Sequence, residues 1–156
     1  MLKRLSMFGL VGVLVLVGGG VSTAIAGNNI SSPETLVLTE TQTKSKVIDA
    51  GKHGFGPGDV FLFTSSLTDK ADGSKVGTLH GQCTVQIGRW QMCEVGVFIG
   101  DRGQFVVAGV VEATDQPTAF DLPITGGTGE FDNVRGSVNV DPVSDTVSTD
   151  TVTLIP

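Results

Sequence analysis

The chain of 156 residues carries 16 acidic and 10 basic side chains, which gives a formal net charge of −6 at pH 7. This balance makes nucleic acids and anionic membrane surfaces poor partners, because both repel a negatively charged protein. The sequence has no tyrosine and a single tryptophan, so it also lacks the aromatic platforms on which nucleic acid bases and many sugars stack.

The first 26 residues have the three parts of a secretory signal peptide. Lys3 and Arg4 precede an apolar core over residues 8–21, and Ala24-Ile25-Ala26 forms a small-residue cleavage site. The core is shorter than the ~20 apolar residues that a membrane-spanning helix needs, so we expect cleavage and no integral membrane span afterwards. Removing Lys3 and Arg4 from the 10 basic residues leaves 8 against 16 acidic ones, a net charge of −8. The sequence predicts a secreted or extracytoplasmic protein.

The exported chain is predicted to be one domain over residues 34–156, preceded by a mobile polar leader over residues 27–33. Alternation over residues 36–44 predicts a first strand, with Leu36, Leu38, Glu40, Gln42 and Lys44 on one face. The glycine-rich residues 49–59 predict a loop, and residues 60–67 predict a second strand.

Cys83 and Cys93 are the only two cysteines, and an even pair in an exported chain favours a disulfide over free thiols. A three-residue loop over residues 87–89 would place them directly opposite each other on neighbouring antiparallel strands. Facing positions of this kind are close enough for a disulfide bond. The sequence therefore predicts a hairpin cross-linked by Cys83 and Cys93.

The remaining strand patterns bring the predicted total to eight, at residues 76–87, 90–99, 104–114, 118–124, 136–140 and 145–155. No segment has a helical period. We predict an all-β fold, a single closed eight-stranded antiparallel β-barrel whose interior is filled by side chains or holds one small ligand. A lipocalin-like barrel is the first alternative and a jelly-roll sandwich the second.

Residues 122–136 contain a dense cluster of glycines between two strand patterns. Gly126, Gly127 and Gly129 predict a tight bend with close backbone approach, and Pro123 removes a ladder donor just before it. A phosphate-binding loop would need a following helix and a lysine, and the sequence offers neither here. The cluster therefore indicates a bend between strands.

The same stretch resembles a known signature. Residues 123–129 read PITGGTG and are followed by Phe131 and Arg135-Gly136, which is similar to the pattern of the allene oxide cyclase and dirigent protein superfamily. This resemblance implies a single-domain eight-stranded β-barrel of the allene oxide cyclase type.

The resemblance also points to a site on the first strand. Plant allene oxide cyclases have a Glu-x-Asn pair there, so Glu40 matches the pattern while Gln42 departs from it by one methylene. This assigns Glu40 and Gln42 as candidate catalytic residues of a cavity, with Phe61 and Phe63 among its apolar walls. The alternative is that both polar side chains point outward on an exposed strand.

Glu112 interrupts an otherwise apolar run over residues 105–111 and would need a partner if it were sheltered. Arg135 is the candidate partner, or an anchor for an acidic ligand, because the family pattern includes an arginine before this glycine. Both residues are therefore predicted to bind ligand, unless Glu112 lies in water at the strand end. The same apolar run predicts a homo-oligomer, and the resemblance implies a trimer or dimer.

Familiar catalytic and metal-binding motifs are absent from the sequence. His53 and His80 have no second ligand at metal-binding spacing, and Asp141, Asp145 and Asp150 are interpreted as a solvated turn and terminal strand. We expect neither a metal nor a cofactor.

These observations predict an exported barrel that binds a hydrophobic small molecule. It would act as a cyclase, isomerase or dirigent-type protein that steers ring closure or coupling of a reactive substrate, since such chemistry depends mainly on orientation and water exclusion. A non-catalytic lipophilic-ligand carrier and a solid structural barrel at the cell surface are the alternatives.

Overall fold

The computed structural model describes residues 30–51, 54, 56–114, 116 and 118–156. The predicted signal peptide, the first part of the predicted leader and His53 lie outside the described residues. The first described residue, Ile30, packs against the hydrophobic core, and its N–H donates to the Glu130 carbonyl at 3.0 Å.

Eight strands form one closed antiparallel barrel, and each strand pairs with its neighbours in chain order. The strands are β1 Glu34–Ile48, β2 Val60–Asp69, β3 Lys75–Val85, β4 Trp90–Ile99, β5 Gly103–Glu112, β6 Phe120–Gly129, β7 Arg135–Ser144 and β8 Val147–Ile155. A short 3₁₀ turn, Gly100–Arg102, connects β4 to β5. The predicted all-β closed barrel is confirmed.

The predicted hairpin is also confirmed. Cys83 pairs with Cys93 across β3 and β4, and their sulfur atoms are bonded at 2.06 Å. The Gln86 N–H donates to the Trp90 carbonyl at 2.8 Å, which leaves residues 87–89 as the connecting loop.

The glycine cluster is not the bend that the sequence predicted. Gly126, Gly127 and Gly129 belong to β6 itself, and the chain turns after them, over residues 130–134. The register between β5 and β6 shifts at Thr125, which is the extra residue of a β-bulge. The prediction of close backbone approach does hold, because a Cβ on Gly127 would lie 2.6 Å from the Phe131 carbonyl oxygen and 2.7 Å from that of Gln104.

One end of the barrel is filled and sealed. Phe105 and Phe131 are fully buried there, with an edge-to-face ring contact at 5.2 Å between centroids. The Arg102 guanidinium lies over the Phe131 ring at 5.1 Å, donates two hydrogen bonds to Glu34 and donates a third, from Nε, to Glu130 at 2.7 Å. This double ion pair ties β1 to the β4–β5 and β6–β7 connections, so any cavity must open at the opposite end.

A β-bulge in β1 changes which side chains face inward. Gln42 pairs with Ser65 and Lys44 pairs with Thr64, so Thr43 is the extra residue between them. Lys44 consequently lies in a groove on the outside of the barrel, and not on the face of Glu40 as the uninterrupted alternation predicted.

We expect Gly127→Ala to destabilise the barrel by roughly 1–3 kcal/mol, because the new methyl group would collide with two backbone carbonyls that cannot move aside. Urea unfolding monitored by circular dichroism measures this loss. Gly96→Ala is the matched control in a strand, since a Cβ there meets its nearest atom at 3.6 Å. Equal unfolding free energies for the two variants would contradict the close approach.

Candidate functional site

The alternation of side chains along each strand determines which residues face the interior of the barrel. On β8, Ser148, Asp150, Val152 and Leu154 are all buried, while the residues between them are only half-buried. On β1, Leu38, Glu40 and Gln42 share the inward face, as the sequence predicted for this part of the strand.

The inward side chains surround a cavity of about 280 Å³. Its walls are mainly apolar and come from all eight strands, with Phe61, Phe63, Leu79, Val95, Val107 and Leu122 among the lining residues. The exposed residues Ser144, Asp145 and Thr146 of the β7–β8 turn also line it, so the cavity reaches the surface at that end. The buried ring of Phe105 lines it toward the sealed end.

Two aromatic rings form part of the wall. Phe61 and Phe63 are stacked with centroids 5.5 Å apart and an angle of 24° between the rings. Gly81 faces Phe63 across β2 and β3, and a Cβ there would lie 2.5 Å from the Phe63 ring. The missing side chain at Gly81 therefore makes room for this ring. The Cys83–Cys93 disulfide also lines the cavity.

The polar part of the wall is concentrated where β2, β1 and β8 lie side by side. The Ser65 hydroxyl donates to Glu40 Oε1 at 2.6 Å. The Ser148 hydroxyl lies 2.7 Å from Asp150 Oδ1 and 3.4 Å from Glu40 Oε2. With its one proton it donates to a single carboxylate at a time, and the shorter distance favours Asp150. Two acidic side chains are thus connected through a shared serine.

The environment of Asp150 favours its protonated form. The side chain is only 4% exposed, and this burial, together with the negative charge of Glu40, raises the pKa of Asp150 to about 7. The hydrogen bond from Ser148 opposes the shift but does not cancel it. A carboxyl group of this kind exchanges its proton near neutral pH, which suits acid–base chemistry.

The interpretation of Asp150 as a solvated residue was wrong. Asp150 lies two residues after Ser148 and two before Val152, on the face of β8 that ends with the buried Leu154. The alternation of β8 was the sequence pattern that could have placed Asp150 and Ser148 inside. Asp141 and Asp145 are exposed, as that interpretation expected.

Two predicted site residues do not line the cavity. Glu112 is exposed at the end of β5, where it pairs with Trp90, and Arg135 is exposed at the start of β7, where it pairs with Ile155. Glu112 therefore occupies the solvated strand end that was the alternative for it.

Among the described residues, no group of three or more His, Cys, Asp and Glu side chains has a geometry suited to a metal ion. The described part of the chain also contains no helix that is both long and apolar enough to cross a membrane.

Comparison with protein families gives one match. The family model described as Dirigent-like protein matches residues 27–155, which is most of the chain. No curated protein sequence matches the chain significantly.

Solved structures of similar shape include several small-molecule enzymes. Pyocyanin demethylase is 27% identical, with a TM-score of 0.68 over 78% of this chain and 100% of that one. The Diels-Alderase AbmU from Streptomyces koyangensis is 25% identical, with a TM-score of 0.66 over 81% of this chain and 72% of its own. The pterocarpan synthase dirigent protein PsPTS1, at 19% identity and a TM-score of 0.62 over 80% of this chain and 94% of its own, supports the fold alone.

We expect the unfolding free energy of the wild type to fall, relative to that of an Asp150→Asn variant, as the pH rises from 5 to 8. The folded-state pKa of Asp150, about 7, lies above its ordinary value of 3.8, so the folded protein binds more protons than the unfolded chain between these values. The wild type should therefore lose roughly 2–3 kcal/mol against the variant between pH 5 and pH 8.

Urea unfolding of both proteins across this pH range measures the difference. Asp141→Asn makes the same chemical change at an exposed position of β7 and should leave the pH dependence unchanged. Parallel curves for wild type and Asp150→Asn would contradict the burial of a protonated carboxyl group.

Proposed function

The chain belongs to the Dirigent-like protein family, and from this premise we propose that its barrel steers the ring closure or coupling of a reactive small molecule. The substrate would occupy the cavity between the Phe61 and Phe63 rings and the acidic wall. The description of AbmU as a Diels-Alderase supports this class of reaction, because a cycloaddition also depends on how an already reactive molecule is folded.

The observation that carries the proposal is an apolar cavity with its polar groups gathered on one side. A cavity of about 280 Å³ lies just below the range of roughly 300–1,000 Å³ that is usual for ligand pockets. Apolar walls hold the substrate in one conformation and keep water away, while the acidic wall meets the charge that develops during the reaction.

Each polar residue of the wall has a role in this proposal. Ser65 fixes the Glu40 carboxylate by its 2.6 Å hydrogen bond, and the second oxygen of Glu40 lies 3.4 Å from the Ser148 hydroxyl at the polar part of the cavity wall. Asp150, with its raised pKa, donates a proton to the substrate or accepts one from it. The Gln42 amide lines the cavity beside them and offers both a donor and an acceptor.

We also propose that the protein is exported and that it self-associates. The Cys83–Cys93 disulfide is typical of oxidising compartments and agrees with the predicted signal peptide. Trp90, Met92 and Phe98 on β4 and Val110 on β5 are exposed on the outer wall. Burying these side chains against a second copy of the chain would remove apolar surface from water.

We expect the protein to form a dimer or trimer at micromolar concentration, because association shields the apolar outer wall from water. Analytical ultracentrifugation measures the distribution of species. Val110→Asp would place a charge in that contact and should shift the population toward monomer, whereas Val143→Asp, at an exposed position on β7, is the control. A wild-type monomer at all concentrations would contradict the proposal.

The catalytic role of Glu40 is tested with the small molecule that copurifies from the natural source, identified by native mass spectrometry. With its open-chain or uncoupled precursor at saturating concentration, Glu40→Gln should lower kcat by roughly a hundredfold, the usual effect of removing an acid–base or charge-stabilising group. Glu94→Gln makes the same change on the outer wall and should keep full activity.

The outcomes separate the candidate functions. Unchanged turnover in Glu40→Gln would mean that the carboxylate takes no part in the reaction. A protein that binds its ligand and returns it unaltered would be a carrier, and one that retains no small molecule at all would be a structural barrel.

A further inference from the structure

The charges that line the cavity are all of one sign. Glu40 and Asp150 lie on its wall, and Asp145 lies at its mouth. Within the described part of the chain, no lysine, arginine or histidine lines the cavity. Among the residues that the structure describes, three acidic groups and no basic group therefore face any bound molecule.

The two carboxyl groups inside the barrel have serine hydroxyl groups and each other as hydrogen-bond partners. Glu40 accepts from Ser65, and Asp150 accepts from Ser148, but neither carboxyl forms an ion pair with a basic side chain among the described residues. Arg102, which pairs with Glu34 and Glu130, lies at the sealed end. Buried carboxylates in proteins are normally compensated by a cation, because hydroxyl groups only partly replace the lost hydration.

We propose that the cavity selects a compact aromatic or conjugated molecule that carries a positive charge on nitrogen, with Glu40 and Asp150 as its counter-ion. This inference rests on the proposed function, because it concerns the ligand of the same cavity. A cation supplies the compensation that no described side chain of the wall provides, a neutral molecule leaves the buried negative charge of the pair uncompensated, and an anion such as a fatty acid is repelled.

The aromatic part of the wall supports the same ligand class. The stacked Phe61 and Phe63 rings present π-systems to the cavity, and π-systems attract planar cations as well as apolar rings. At pH 8, above the pKa of about 7 to which burial and the charge of Glu40 raise the Asp150 carboxyl, more of the acidic wall is ionised than at acidic pH. The preference for a cation should therefore be strong at this pH.

The test compares ligands of one shape and different charge at pH 8. N-phenyl-1-naphthylamine, which is neutral and fluoresces in apolar surroundings, reports occupancy of the cavity. It is displaced by 1-methylquinolinium, by its neutral isostere 1-methylnaphthalene, and by the anionic 1-naphthoate. We expect the dissociation constant of 1-methylquinolinium to be at least about tenfold lower than that of 1-methylnaphthalene, and that of 1-naphthoate to be the highest.

Variants then locate the counter-ion. The double variant Glu40→Gln with Asp150→Asn should reduce the ratio of the cation and neutral dissociation constants to within about threefold, since no formal charge remains inside the barrel. Asp141→Asn, exposed on β7 and outside the cavity wall, should keep the full ratio. Circular dichroism verifies the fold of each variant, and Glu40→Gln alone, with a partial loss of the ratio, replaces the double variant if that does not fold.

Each result decides a separate point. If neither the neutral reporter nor 1-methylquinolinium, followed by calorimetry, binds the wild type, the cavity takes no ligand of this size, and both the proposed function and this inference fail. If the reporter binds but the neutral or anionic competitor binds as tightly as the cation, only this inference is overturned. It is also overturned if the cation preference survives in the double variant, because the counter-ion would then lie elsewhere.

Discussion

The pairing of the first strand with the last determines both the closure of the barrel and the chemistry of its interior. β1 and β8 are paired from Glu34 with Leu154 to Thr41 with Val147, and this register places Glu40 opposite Ser148. The contact between the Ser148 hydroxyl and Glu40 joins residues 108 positions apart in the chain. Because side chains alternate across each strand, a shift by one residue would turn either Glu40 or Asp150 out of the cavity.

The two ends of the barrel differ in packing: the sealed end is filled by side chains, and the cavity opens at the other end. At the sealed end, Phe105 and Phe131 fill the interior, and the ion pairs of Arg102 tie β1 to the β4–β5 and β6–β7 connections. Toward the other end, the lining includes the small side chains of Ser144, Thr146 and Ser148, and the interior is less completely filled. A cavity in a small barrel needs this asymmetry, because a rigid packed layer must hold the strands in register around it.

Much of this fold could be predicted from local patterns in the sequence. The alternation of β1 placed Glu40 and Gln42 on one face, and the loop length between Cys83 and Cys93 predicted their pairing. The residue pattern at 123–136 indicated the family, and the match of the family model to residues 27–155 confirms it. The position of Glu40 and Gln42 in the cavity wall agrees with the predicted site, whereas their catalytic role is still a proposal.

What the sequence did not reveal depends on contacts between distant segments. Asp150 looks solvated beside Asp141 and Asp145, although the alternation of β8 groups it with Val152 and Leu154, and its pairing with Leu38 of β1 shows that this face is the interior. The bulge at Thr43, which turns Lys44 outward, leaves no clear trace in the alternation of β1. Glu112 follows an apolar run, but its exposure is set by the point at which β5 ends.

We propose that a small molecule binds inside this barrel against Glu40 and Asp150. A crystal structure of the protein with its copurified ligand would show this contact. We expect electron density in the cavity, with a ligand atom within hydrogen-bonding or ion-pairing distance of one of these carboxyl groups and a ring against Phe61 or Phe63. Ligand density confined to the outside of the barrel, or an Asp150 side chain directed into solvent, would contradict it.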